Sequence, residues 1–389
     1  MRRIYFDHAA TTPMHPDVID AMVRVMQSQA GNSSSVHAFG RMAKACLSDS
    51  RDQAAKLLGC SPSELLFTSG GTESDNTALI GAAFAQRKLG KNHLITTEAE
   101  HHAVLHTMKW LEKEHGFAVT ILPVDQAARV AADTVKQALR PETGLVSIMH
   151  GNNEIGSLQP IKQIGEVVQQ AGALFHVDAV QTLSSEEYHL HALPVDLMSF
   201  SAHKINGPQG VGVLYIANGT PFEAIIHGGS QERKRRAGTE NIAGAAGFAA
   251  ALKICVENRK NKQLFMDELR KRWIELLREH IQMIPLVVHE SKGHQLPQIV
   301  NISFVGIDTE TMLMNLDMEG IAAASGSACT SGSLERSHVL RAMRIPAEEM
   351  DSAVRFSFGL GNTLEELEYA APIVAKIVSR VQEMNSGGQ

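Results

Sequence analysis

The segment Ser199-Phe200-Ser201-Ala202-His203-Lys204-Ile205-Asn206-Gly207-Pro208 sets a lysine directly after an apolar run. Burial disfavours an ammonium ion, so a lysine there can act as an amine nucleophile toward a carbonyl, although most lysines are surface residues. Asp178 closes an earlier apolar run, His176-Val177-Asp178-Ala179-Val180-Gln181. A carboxylate in that place costs desolvation unless it meets a cation or several donors, so it is either a helix cap or the partner of a protonated heterocycle nitrogen. A third run, Leu65-Leu66-Phe67, leads into Thr68-Ser69-Gly70-Gly71-Thr72-Glu73-Ser74. Small residues at the start of a helix either cap it or let its free amides meet an anion. Amine, buried carboxylate and anion-binding turn are together the three anchors of pyridoxal phosphate: aldehyde carbon, pyridine nitrogen and phosphate.

Three further features could complete such a site. His101-His102 opens a helix after strand 92–96, and an imidazole there could cover the cofactor ring and shuttle protons. Cys329 lies in Ser325-Gly326-Ser327-Ala328-Cys329-Thr330-Ser331-Gly332-Ser333, a small-residue run that predicts an accessible loop thiol. Cys46, Cys60 and Cys255 fall in helical or turn patterns and suit an inert role better. Arg355, on the apolar strand Val354-Arg355-Phe356-Ser357, calls for a carboxylate, either of the protein or of a substrate.

In parallel α/β sheets, ligands sit at the carboxyl ends of strands, which is where these residues fall. Helices are expected over 16–28 and 39–58, the second stopped by Gly59. From Glu64 onward, short apolar runs alternate with helical patterns near 73–88, 101–114, 132–140 and 161–171. The remaining runs are His93-Leu94-Ile95, Val119 to Leu122, Val146 to Met149, Leu174 to Val177 and Leu197 to Phe200. The alternation predicts an α/β fold with a mainly parallel sheet between helices. After 210–216 come long helical segments over 240–280, then strand 298–305, helix 309–319, strand 353–358 and helix 363–385.

Composition narrows the function. The chain has 389 residues, 44% hydrophobic and 20% charged, and carries a formal charge of −6. These values exclude a disordered or fibrous chain and argue against a nucleic-acid footprint, despite the short cluster Arg233-Lys234-Arg235-Arg236. No apolar stretch approaches the length of a membrane span, and the N-terminus reaches Asp7 without a signal core. The four cysteines are far apart, with no CxxC, HExxH or close His/Asp cluster to suggest a disulfide framework or a metal site. A cytoplasmic protein is expected, with no membrane partner and no direct nucleic-acid partner.

The chain resembles the pyridoxal-phosphate cysteine desulfurases of the class V aminotransferase branch of fold-type I enzymes. The likeness runs almost end to end. It is carried by Tyr5 to Pro13, Thr68 to Asn76, Glu100-His101-His102, Asn152 to Gly156, His176 to Gln181, Ser199 to Pro208, Arg236 to Asn241 and Ser325 to Ser331. The long run around Cys329 is similar to the long-loop group, whose cysteine hands sulfur to distant acceptors.

The resemblance implies an aspartate-aminotransferase-like architecture, with a large domain over 15–257 built on a seven-stranded sheet. A small α+β domain would comprise 1–14 and 258–389 and carry the cysteine loop, about 325–333. It implies that Lys204 carries pyridoxal 5′-phosphate covalently, Asp178 pairs with the ring nitrogen, Gln181 with the phenolic oxygen, and His101 stacks on the ring. Gly71, Thr72, Ser201 and His203 would hold the phosphate, with Thr239 from the other subunit of a homodimer. Asn153 and Arg355 would hold the carboxylate of L-cysteine. Lys204 would move the α-proton, and the Cys329 thiolate would take the sulfur as a persulfide and release L-alanine. No resident metal is implied, only a transient iron–sulfur ligation through Cys329. The acceptor would be an iron–sulfur scaffold or a tRNA-thiolating enzyme.

Departures from the family pattern sit beside the chemistry: Thr182 to His189 lacks the usual Gly-Lys-like start, Asn32-Ser33-Ser34 replaces Asn-Pro-Ser, and Asn206 stands where many relatives have Tyr. Asn206 and the run Gln231 to Asn241 resemble relatives that serve tRNA thiolation. Alternative readings are a selenocysteine lyase or another class V enzyme, which would not need Cys329. A sulfur-relay subunit without catalysis would have lost Lys204, Asp178 or His101.

Overall fold

A computed structural model of the protein describes residues 2–28, 31–326 and 336–386. Cys329 and most of its expected loop lie outside the described residues. The first half comprises β1 (Ile4–Tyr5), α1 (Pro16–Ser28), α2 (Ala38–Leu58), β2 (Leu65–Thr68), α3 (Gly71–Lys88), β3 (His93–Thr97), α4 (His102–His115) and β4 (Ala118–Leu122). Next come α5 (Ala132–Ala138), β5 (Thr143–Ser147), α6 (Ile161–Gln170), β6 (Leu174–Asp178), β7 (Leu197–Ser201) and β8 (Gly212–Ile216). The remainder is α7 (Ile242–His280), β9 (Leu286–His289), β10 (Ile299–Phe304), α8 (Thr309–Met318), β11 (Ile321–Ala322), α9 (His338–Ala342), α10 (Ala347–Met350), β12 (Ala353–Ser357) and α11 (Leu364–Ser386).

A seven-stranded sheet runs in the order β2-β8-β7-β6-β5-β3-β4. Only β8 is antiparallel to its neighbours; the other four pairings are parallel. β3, β5, β6 and β7 are buried at every position, which is why they read as continuous apolar runs. Because β8 reverses, β2 again points the same way as β7. The carboxyl ends of β2, β3, β5, β6 and β7 therefore share one edge.

The expected helices and strands form with small shifts at their ends. One shift is informative. The apolar run Val146 to Met149 was expected as the strand, yet β5 spans Thr143–Ser147, and Ile148 and Met149 lie buried beyond its end. An apolar run reports burial, and here burial continues into the wall of the site while the Ile148 and His150 amides still bond the His176 and Asp178 carbonyls of β6 at 3.1 and 2.8 Å. Gly59 ends α2 as expected, in the left-handed conformation at φ 65°, with its amide directed at Ala55 and Lys56 carbonyls.

Hydrophobic residues cover both faces of this sheet, among them Phe175, Val177, Phe200 and Phe248 on one side and Leu79, Leu94, Met108 and Leu145 on the other. A separate core gathers Phe6, Trp273, Phe304, Phe356 and Val374 around the three-stranded sheet β12-β10-β9. The 39-residue α7 serves both: Phe248, Leu252 and Cys255 enter the first core, and Met266, Leu269 and Trp273 the second. β1 pairs in parallel with β11, which ties the N-terminus to this second region.

Candidate active site

A cavity of about 590 Å³ opens at the shared edge of the large sheet. Gly71 and Thr72 reach it from the start of α3, His101 from the start of α4, and Asn153 from the turn after β5. Asp178 and Gln181 follow β6; Ser201, His203 and Lys204 follow β7; Arg355 arrives from β12. Ten of the residues expected from the sequence thus meet in one space. Thr239 does not: it is exposed and outside this cavity.

The α3 N-terminus is built to receive an anion. Its N-cap is Gly70, which has no side chain to satisfy the first-turn amides. At Gly71 a Cβ would stand 2.8 Å from Val180 Cγ2, so only glycine lets the turn close on the β6 loop. Across from it, the Ser201 hydroxyl is buried without a hydrogen-bond partner. His203 is anchored through Nδ1 to Thr11 Oγ1 at 3.1 Å, and burial lowers its pKa to about 4. Free amides, an orphaned hydroxyl and a cradle with no Cβ fit a phosphate.

Asp178 is buried and lines the cavity, and its Oδ1 accepts from the Val180 amide at 3.0 Å, so it caps the turn after β6 and no helix begins there. Burial raises its pKa to about 6, against the pull of that amide and of the Lys204 charge. A carboxylate so placed is stabilised by a proton on a neighbouring ring nitrogen. Lys204 Nζ donates to the carbonyls of Ala9 and Ala10 at 2.5 and 2.9 Å. Desolvation, with help from Arg355, lowers its pKa to about 8, so about a tenth of the amine is neutral at pH 7, far more than for a free lysine. Gln181 Nε2 donates to Ala9 O at 2.9 Å. Phosphate cradle, buried carboxylate and depressed lysine fit pyridoxal phosphate.

His101 is the N-cap of α4: its Nδ1 accepts from the Ala103 amide at 3.1 Å. Burial and the Lys204 charge lower its pKa to about 4, so the ring is neutral with its proton on Nε2. Arg355 is buried; Nη1 donates to Asn153 O and Nη2 to Asp7 Oδ1, both at 2.8 Å. The protein thus supplies a carboxylate for the guanidinium, while Nε keeps a proton without a partner. The sequence offered no way to pair Asp7 with Arg355, which are 348 positions apart.

Sequence reasoning also passed over three buried acids. Asp75, within α3, lines the cavity near Asp178, and burial and the Asp178 charge raise its pKa. Glu100 is fully buried, accepts from Thr97 Oγ1 and the Met149 amide, and rises to about 8 through desolvation. Glu154 is buried beside Asn153. All three belong to motifs quoted above, and an acid inside an otherwise small or apolar motif was the available signal. Asn206, a departure from the family pattern, adopts φ 62°, a left-handed conformation that Asn tolerates well, and its side chain binds Pro13 O. Among the described residues, no group of three or more His, Cys, Asp or Glu could hold a metal ion, and no helix is long and apolar enough to cross a membrane.

Residues 4–370 match the family described as aminotransferase class-V. The chain is 42% identical over 384 residues to the cysteine desulfurase IscS of Clostridium botulinum, covering 99% of this chain and 96% of the relative. It is 43% identical to cysteine desulfurase IscS of Methanosarcina thermophila, covering 99% and 94%. A solved NifS-like protein superposes with a TM-score of 0.91 at 37% identity, covering 97% of this chain and all of that one. SspA, solved in complex with cysteine, superposes at 0.80 with 32% identity over 91% and 98%. With the lysine, carboxylate and phosphate cradle in place, the chain belongs to the class-V aminotransferases and, within them, to the pyridoxal-phosphate-dependent cysteine desulfurases.

Proposed function

We propose that this protein converts L-cysteine to L-alanine and keeps the sulfur as a persulfide on Cys329 for transfer to an acceptor. The observation that carries the reading is the convergence of Lys204, Asp178, the Gly71–Ser201 cradle and Arg355 on one cavity. Bound pyridoxal phosphate supplies an electron sink conjugated to the substrate Cα. The α3 amides at Gly71 and Thr72, with Ser201 and His203, would hold the phosphate, and Asp178 would keep a proton on the ring nitrogen. Gln181, whose amide is held on Ala9 O, would serve the phenolic oxygen, and His101 would cover the ring with Nε2–H as its free donor. Arg355, through Nε, and the Asn153 side chain orient the substrate carboxylate.

Lys204 Nζ carries the Cα proton, a role suited to an amine whose pKa has fallen to about 8. The Cys329 thiolate attacks the substrate sulfur as the Cβ–S bond breaks, and Cβ then gains a proton. L-cysteine plus the Cys329 thiol thereby become L-alanine plus the Cys329 persulfide, with no external oxidant. Cys329 is three positions after Gly326, which lines the cavity, a span of at most about 11 Å of chain.

The protein acts as a homodimer in the cytoplasm. Exposed Met26, Val36, Phe39 and Met42 on α1 and near the start of α2 support an apolar contact, and exposed Thr239 is free to complete the phosphate site of a second copy. The persulfide serves iron–sulfur cluster assembly, tRNA thiolation or both, with a transient iron–sulfur ligation at Cys329 included. The test is sulfide and alanine release from L-cysteine with a reductant. Equal yields in the wild type, lost in Cys329→Ser, support the reading; undiminished turnover in that variant sinks it.

A further inference from the structure

The chain on either side of segment 327–335 ends at one side chain. On the near side, Ala324 exchanges backbone hydrogen bonds with Arg355, at 3.2 and 2.7 Å. Gly326 follows, so close to Glu154 that a Cβ there would stand 2.1 Å from Oε2. On the far side, Ser337 Oγ donates to the same Glu154 Oε2 at 2.5 Å. Ser337 also accepts from the Leu340 amide at 3.0 Å, which caps α9 and fixes where that helix begins. His338 Nε2 adds a donor to the Glu100 carbonyl at 2.9 Å, and its ring lies 4.6 Å from that of His102.

Glu154 is itself held rigidly. The side chain of Asn152 accepts from the Glu154 and Ile155 amides at 2.8 and 3.0 Å, closing the turn that presents Asn153 and Glu154 side by side. Asn153 O is bound by Arg355 Nη1, and Asn301 Nδ2 points to Glu154 O at 3.4 Å. A carboxyl group 2% exposed costs desolvation unless its oxygens are used. Here one oxygen accepts from Ser337 on one flank and stands close against Gly326 on the other.

We propose that Glu154 is a positioning residue: it fixes both flanks of segment 327–335 to the Asn153–Arg355 pair and so sets where the Cys329 sulfur stands relative to the substrate sulfur. This inference rests on the desulfurase reading. A residue that only supports the fold or the cofactor would affect every step alike. A residue that places Cys329 affects sulfur transfer and spares chemistry at the substrate Cα.

The experiment separates those two steps in the holoenzyme. Persulfide formation on Cys329 is measured by mass spectrometry in a single turnover with L-cysteine. Exchange of the Cα hydrogen of L-alanine with deuterated water is measured in parallel, because L-alanine carries no sulfur. Glu154→Ala and Gly326→Ala are expected to slow persulfide formation by about tenfold or more, as misplacement of a reacting group does, with exchange within about twofold of wild type. Glu154→Gln, which keeps an acceptor oxygen for Ser337, recovers most of the rate.

An unchanged persulfide rate in Glu154→Ala and Gly326→Ala overturns the proposal, as does a parallel fall of both reactions. Should Glu154→Ala fail to fold, Gly326→Ala and Ser337→Ala decide it from the two flanks. A wild type that exchanges L-alanine yet leaves Cys329 unmodified overturns the desulfurase reading, and this inference with it.

Discussion

Lys204 concentrates the residue-scale argument. Burial stabilises its neutral amine, and the value of about 8 lies well below that of a free lysine. The neutral form is the nucleophile, so capture of pyridoxal phosphate by the apoprotein should accelerate with pH and level off above about 8. A stopped-flow pH series checks this, and a midpoint at the ordinary lysine value near 10.5 contradicts it. Lys204→Ala should bind the cofactor without the yellow lysine-linked absorbance; an unchanged visible spectrum refutes the assignment. Asp178→Asn should keep the fold and lose about a hundredfold or more in turnover, because a neutral amide cannot hold the ring proton by charge. Activity within a few-fold of wild type would remove Asp178 from its role.

At the scale of elements, the loop after β8 shows how distant parts are tied together. Glu232, Arg233 and Lys234 all have positive φ, at 43°, 56° and 65°, a costly conformation for side chains other than Gly and Asn. The run is held by a buried bidentate pair, Arg51 with Glu232 at 2.6 and 2.8 Å, and Arg51 lies over the Phe67 ring at 4.8 Å. Next to it, Arg236 pairs with Glu73 on the first turn of α3. Glu232→Ala should destabilise the protein by about 3–5 kcal/mol in denaturant unfolding, since Arg51 would be left buried and unpaired. A loss under about 1 kcal/mol would mean the strained run is held otherwise.

The same scale shows what the sequence made legible. The central strands of the large sheet were readable because burial on both faces writes them as apolar runs, whereas edge strand β4 was read from Val119 to Leu122 although it is buried only at Leu122. β9 was passed over although Leu286-Val287-Val288 is an apolar run as long as Leu65 to Phe67; it is half-buried and lies outside the alternation of strands and helices that marked the others. β1 and β11, two residues each, exist only because they pair across more than three hundred positions. Lys204, Asp178 and Gly71 were legible because their chemistry is local to a strand end. Asp7 and the double contact of Glu154 were not, because their partners lie on other elements.

For the whole molecule, the exposed position of Thr239 and the apolar residues on α1 and α2 predict a dimer of the 42.2 kDa chain. Sedimentation should give about twice that mass, and Thr239→Ala should weaken retention of the cofactor without altering assembly. A monomer with full cofactor affinity contradicts both.

The central claim is that Cys329 receives the sulfur. The most direct measurement is the intact mass of the reductant-free holoenzyme after one equivalent of L-cysteine, with peptide mapping of the site. The account predicts one added sulfur per chain, confined to Cys329, with an equal amount of alanine. Alanine formed in that amount with no sulfur on Cys329 would contradict it.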